Sequence, residues 1–98
     1  MVKVILPFHL RSLANTGQEV QVQVHGPVSV ASVLEALESA YPVLKGTIRD
    51  HENHRRRAYL RFFAAGEDIS LEPLDSPLPE SIASGREPLM VIGAIAGG

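Results

Sequence analysis

The hydrophobic pattern of this chain changes period at Gly26-Pro27, and that change limits the folds open to it. Before it, Val20, Val22 and Val24 alternate with Glu19, Gln21, Gln23 and His25, the two-residue repeat of a half-buried strand. After it, Val30, Val33, Leu34, Leu37 and Tyr41 fall three or four residues apart, the stripe of a helix that packs on a sheet. A strand with one apolar face and a helix with one apolar stripe bury those surfaces against each other.

The rest of the chain extends this frame. Val2, Val4, Leu6 and Phe8 alternate with Lys3, Ile5, Pro7 and His9, which predicts a first strand with partial cover on its second face at Ile5. Asn15-Thr16-Gly17 is turn chemistry, so the two strands read as a hairpin with a long connection. Ser29 is placed to cap the helix, and Ser32 with Glu35 offers a second capping-box start. Pro42 ends the helix near Tyr41, and Leu44 with Ile48 predicts a further short helical turn. Tyr59-Leu60-Arg61-Phe62-Phe63-Ala64 reads as a third strand, Ala65-Gly66-Glu67 as its turn, and Asp68-Ile69-Ser70 as a short fourth strand. Pro73, Pro77 and Pro79 keep the next stretch irregular. Leu89-Met90-Val91-Ile92 is a last apolar strand, followed by small residues over 93–98. The order predicts an α+β chain, one mixed sheet packed on one main helix, which is the β-grasp arrangement of ubiquitin-like domains. It is expected to form a single domain over residues 1–98, with a flexible C-terminal tail from about 93.

Composition removes several classes of function. Among 98 residues there is no cysteine, which excludes a disulfide framework, a thiolate zinc site, an iron–sulfur cluster and a thiol nucleophile. A net charge of −2 is too small to signal nucleic-acid or anionic-membrane binding by the chain as a whole. Met1 to Leu10 is apolar but too short to span a bilayer and lacks the marks of a signal peptide, so a cytoplasmic location is expected.

The feature richest in chemistry is the diglycine Gly97-Gly98. It can be a frayed end with no chemical role. Yet residues without a Cβ can extend through a narrow channel and bring the α-carboxylate to a bound nucleotide. Attack on an α-phosphate then makes an acyl-adenylate, which sulfide, persulfide or an amine can capture.

Gly66-Glu67-Asp68-Ile69, Leu74-Asp75-Ser76-Pro77-Leu78 and Ala94-Ile95-Ala96-Gly97-Gly98 resemble the MoaD/ThiS small sulfur carriers. Val2-Lys3-Val4-Ile5-Leu6 and Val33-Leu34-Glu35-Ala36-Leu37 followed by Tyr41-Pro42 match the same pattern, so the likeness runs over essentially the whole chain. The resemblance implies a β-grasp fold and a carrier that is not itself an enzyme. An ATP-dependent E1-like enzyme would adenylate Gly98, and a sulfur donor would load it as a thiocarboxylate for cofactor or metabolite biosynthesis. Gly97 would give the slender approach, and Ala94, Ile95 and Ala96 the extended lead-in gripped by the partner. No permanently bound cofactor is implied; ATP belongs to the partner enzyme. Members of that family often carry Asn-Gly where this chain has Ala65-Gly66, and proline where it has Gly93. Two related roles share the tail chemistry: the small subunit of a molybdopterin-synthase-like complex, whose larger subunit receives the tail, and a ubiquitin-like modifier that forms isopeptide bonds. A plain interaction domain with an incidental diglycine is a further class.

Other residues carry paired readings. Phe62, Phe63, Met90 and Ile92 can form a partner-docking surface on the open sheet face, or be buried under a loop. His51, Glu52 and His54 have a spacing suited to a metal, or form a solvated loop with no third ligand anchored nearby. Arg55, Arg56 and Arg57 can meet phosphate or an acidic partner, or form a solvated edge that discourages aggregation. Glu67 and Asp68 read as turn residues before an acid/base pair.

Overall fold

The structure, a computed structural model, describes residues 1–93. Five strands form one mixed sheet: β1 (Val2–Ile5), β2 (Glu19–Val22), β3 (Leu60–Ala64), β4 (Glu67–Asp68) and β5 (Leu89–Gly93), in the spatial order β2-β1-β5-β3-β4. β1 and β5 run parallel at its centre, with Val4 beside Leu89 and Ile5 beside Met90. The other neighbours are antiparallel, with Val4 opposite Val20, Phe62 opposite Val91 and Phe63 opposite Asp68. Helices α1 (Phe8–Ala14), α2 (Val30–Ala40) and α3 (Glu80–Ala83) lie between the strands, with a 3₁₀ turn at Pro42–Leu44.

The period-2 pattern sets which face is buried. Val2, Val4, Val20, Val22, Leu60, Phe62, Ala64, Leu89 and Val91 point to one face and are buried there with Val30, Val33, Leu34 and Leu37 of α2. Each fully buried aliphatic side chain contributes about 1.5–3 kcal/mol of transfer free energy. At the start of α2, the Ser29 hydroxyl accepts the Ser32 N–H at 3.1 Å and the Ser32 hydroxyl accepts the Ser29 N–H at 2.8 Å. The reciprocal cap therefore joins two serines, and Ser32 closes the box instead of opening one with Glu35.

The expected hairpin pairing of β1 with β2 is present, but its long connection is a helix and the first strand is shorter than its alternation predicts. The alternation of Val2 to Phe8 is cut by Pro7, whose extended backbone (φ −68°, ψ 160°) caps α1. Proline fixes φ and has no N–H to leave unpaired in a first helical turn. Leu10 anchors the helix in the core, and Asn15 closes it in the left-handed conformation at φ 55°, with its N–H donating to the Arg11 and Ser12 carbonyls. The strand thus ends at Ile5, and Phe8 is exposed. Beyond the prolines, α3 places Ile82 in the core, an element the proline-rich composition concealed. The expected helical turn at Leu44 and Ile48 is confined to Pro42–Leu44, and both side chains are buried.

Three of the arginines, Arg49, Arg56 and Arg57, tie separate parts of the chain together. Arg49, only 6% exposed, forms a two-pronged pair with Glu38 of α2, at 2.9 and 3.0 Å. Arg56 donates to the carbonyls of Ser70 at 3.1 Å and Leu60 at 2.6 Å. Arg57 donates to the Gly46 carbonyl at 2.8 Å and lies 3.5 Å from Asp50. Guanidinium groups present several donors in one plane, so each can tie separate loop carbonyls together. Of the Arg55-Arg56-Arg57 run, only Arg55 is exposed.

Candidate functional site

The second face of the sheet has no helix over it among the described residues. Ile5, Met90 and Phe63 stand in one row across β1, β5 and β3, because Ile5 registers with Met90 and Met90 with Phe63. Ile92, one step along β5 on the same face, stands beside Arg61. Met90 and Ile92 are each 38% exposed, while Ile5 and Phe63 are half-buried. Charges rim this apolar row. Lys3 and Glu19 lie on the β1–β2 side, and Arg61 pairs with Asp68 at 3.2 Å on the β3–β4 side. An apolar centre with a polar rim is the composition of a protein-docking patch. Hydrogen bonds from the Ser70 hydroxyl and N–H, and after them the Arg61 charge, hold the Asp68 carboxyl below the usual carboxylate range.

The end of β5 gives this face its direction. Gly93 pairs with Leu60 and lies within the strand as described, Leu89–Gly93. A Cβ at this position would come within 3.1 Å of the His9 ring and 3.6 Å of Pro7, so the β1–α1 corner presses on the strand where residues 94–98 begin. The His9 and Tyr59 rings lie 6.4 Å apart, and the Tyr59 hydroxyl donates to the Thr47 carbonyl at 3.1 Å. Phe8, with Arg11 5.4 Å over its ring, is exposed next in the chain. None of these neighbours was legible beforehand. The one sequence signal was a glycine where strand residues are usually branched.

The docking expectation needs one correction. Phe62 is fully buried under α2, because its phase on β3 is that of Leu60 and Ala64. Phe63, Met90 and Ile92 lie on the opposite face, joined there by Ile5, Lys3, Glu19 and Arg61. Ala94, Ile95, Ala96, Gly97 and Gly98 lie outside the described residues. Glu67 and Asp68 form β4, and the turn itself is made by Ala65 (φ 51°) and Gly66 (φ 80°), the paired positive dihedrals of a type I′ hairpin. His51, Glu52 and His54 are exposed on the 45–59 loop, and among the described residues no three His, Cys, Asp or Glu side chains gather at a metal-sized site. Among the described residues no helix is long and apolar enough to cross a membrane.

A mixed sheet with parallel first and last strands at its centre, crossed by one long helix, is the ubiquitin-like β-grasp fold. Solved structures share it over nearly the whole chain. SAMP1 from Haloferax volcanii superposes with a TM-score of 0.74 at 22% identity, covering 98% of this chain and 97% of that one. A chain of the Amycolatopsis orientalis BexX/CysO complex superposes with a TM-score of 0.76 at 20% identity, covering both chains fully at 100%. A second structure of H. volcanii small archaeal modifier protein 1 gives 0.73 at 19% identity, over 95% of each chain. No family model and no curated protein matches the sequence.

Proposed function

We propose that this chain is a sulfur carrier whose Gly98 carboxylate is activated by an E1-like enzyme that docks on the Ile5–Met90–Phe63–Ile92 face. One observation carries the reading: β5 both supplies Met90 and Ile92 to the apolar face and leads, at Gly93, directly into the segment that ends Gly97-Gly98. A partner seated on that face is therefore next to the start of the tail. The carboxylate of Gly98 attacks the α-phosphorus of ATP and pyrophosphate leaves. Hydrosulfide then attacks the acyl carbon and displaces AMP, which leaves with one carboxyl oxygen, so the thiocarboxylate forms; a persulfide donor gives an acyl disulfide instead, which a thiol must then reduce to release the thiocarboxylate. The chain supplies the carboxyl and the docking surface; the partner supplies nucleotide binding and acid–base groups.

The decisive experiment is intact mass after incubation with ATP, an E1-like enzyme and a sulfur donor. Loading adds the mass difference between sulfur and oxygen, and removing Gly98 abolishes it while leaving the melting curve unchanged. No mass change with any cognate activating enzyme would falsify the carrier reading. The modifier reading has support of its own, since one structural neighbour is a protein called a small archaeal modifier. It shares the activation step and differs in the acceptor, a lysine amine in place of sulfide. Lysine adducts ending in Gly-Gly select it. Stable co-purification with one larger subunit selects the synthase-subunit alternative.

A further inference from the structure

β2 is an edge strand, and among the described residues nothing pairs with its outer side. Its hydrogen-bonding phase follows from one bond. The Leu6 N–H donates to the Gln18 carbonyl at 2.9 Å, in the same register that sets Val4 opposite Val20 and Val2 opposite Val22. Bonded pairs alternate along an antiparallel ladder, so these even-numbered residues of β2 face β1 with their backbone groups. The N–H and C=O groups of Glu19 and Gln21 point outward, and the phase carried on places Gln23 with them.

Sheet edges are normally defended by lysine, proline, a bulge or brevity, and of these β2 has brevity, four residues over Glu19–Val22. From Glu19 to His25 the chain reads Glu-Val-Gln-Val-Gln-Val-His and contains no lysine, proline or glycine. Val20 and Val22 are buried on the core side, while Glu19, Gln21, Gln23 and His25 are exposed. The segment is also complementary to itself in reverse. Turned antiparallel about Val22, it sets Gln21 against Gln23, Val20 against Val24 and Glu19 against His25, with the same carboxylate–imidazole pair repeated at the other end. β2 ends at Val22, so the pairing extends the strand through His25; in that extended phase Gln23 and His25 face outward and meet the outward-facing Gln21 and Glu19. Beside the edge, a groove between β2 and α2 has Val22, Val24, Ala36 and Ala40 in its lining, together with the longer side chains of Met1 and Glu35.

We propose that β2 pairs with β2 of a second copy of this chain, antiparallel about Val22, joining two sheets into one. The pairing uses the sheet edge and leaves the Met90–Ile92 face and the end of β5 free. It does not depend on the sulfur-carrier reading. An edge contact of this length falls at the small end of protein interfaces, so association is weak and needs concentrated protein.

Sedimentation velocity from micromolar to millimolar concentration tests it, with a species of twice the chain mass expected at the upper end. Gln21→Pro removes an outward N–H that β1 does not use, and should abolish association with the circular dichroism spectrum unchanged. Glu19→Lys should weaken association about tenfold, and Glu19→Lys combined with His25→Glu should restore it. Since the chain has no cysteine, Gln21→Cys mixed with Gln23→Cys under mild oxidation reports the register directly. The mixed disulfide should exceed either symmetric one well beyond the statistical ratio. A chain that stays monomeric at millimolar concentration overturns the proposal, as does a dimer that survives Gln21→Pro. Statistical cross-linking overturns the register. Capture of an added extended peptide by a chain that never self-associates assigns the edge to another occupant and overturns it too.

Discussion

Phe62 packs under α2 with no exposed surface, whereas Phe63, the next residue, lies half-buried on the opposite face beside Met90. The two are chemically identical and one peptide bond apart. Their difference comes from the pleat, which sends successive side chains to opposite faces, and from α2, which covers only one of them. The inner face is closed by a helix whose stripe matches it. The outer face keeps an apolar row between Lys3 and Glu19 on one side and the Arg61–Asp68 pair on the other. One face holds the fold together, and the other is available to a partner.

The sharpest way to break this contrast is to truncate both rings. Phe62→Ala should cost about 3–5 kcal/mol in denaturant unfolding, a large part of the 5–15 kcal/mol typical of a domain. Phe63→Ala should cost about 1 kcal/mol, because its site is open to solvent and leaves no closed cavity. Equal losses would mean the two faces are not distinct. Arg49 extends the test to a charge on the inner side. Arg49→Ala strands Glu38 nearly buried and should cost about 3 kcal/mol, while the joint change Arg49→Met with Glu38→Leu should recover most of it.

Substitutions on the outer face should do the reverse. Met90→Glu should shift the unfolding midpoint little, within about 0.5 kcal/mol, yet weaken binding to the activating enzyme at least about tenfold. Calorimetry of unfolding and of binding on the same variant separates the two effects. Ala65→Asn should stabilise by about 0.5–1 kcal/mol, since Ala65 occupies a left-handed conformation that asparagine tolerates better. The smallest effect is on acidification. Asp68 is held below its ordinary range by Ser70 and then Arg61, and Asp50 by the N–H groups of Asn53 and Glu52 and then by Arg57. A depressed folded value means the contribution is complete above the unfolded value and fades as pH falls through the folded one. Stability should therefore drop as pH falls from the ordinary carboxylate value downward, and Asp50→Asn with Asp68→Asn should flatten that slope in acid titrations.

Much of this architecture was readable in the residues, and the gaps have physical causes. The period change at Gly26-Pro27 correctly separated β2 from α2, and Ser29 was correctly placed as its cap. α1 was hidden because the alternation of Val2 to Phe8 runs on through Pro7, and a seven-residue helix with one buried leucine barely shows its period. The role of Arg56 was invisible because its carbonyl partners include Ser70, fourteen residues away. On the outer face Met90 and Ile92 stood out from their phase. Phe62 and Phe63 could not be told apart until the register against Val91 and Met90 fixed which faced α2. The closeness of Gly93 to His9 brings the end of β5 against the start of α1, two segments far apart in the chain, which no local pattern encodes.

The parallel pairing of β1 with β5 has a consequence for how the chain comes into being. Among the described strands the central one is also the last in the chain, and it sits between β1 and β3. Until Leu89–Gly93 has left the ribosome, β1 and β3 have no common neighbour and the valines of the N-terminal strands have only a partial core. Pairing over such a sequence separation is slow, because the long loop must close before its contacts repay the lost entropy. A chain cut short before Leu89 is therefore expected to lack a stable sheet, and limited proteolysis of such a truncation against the full chain checks this.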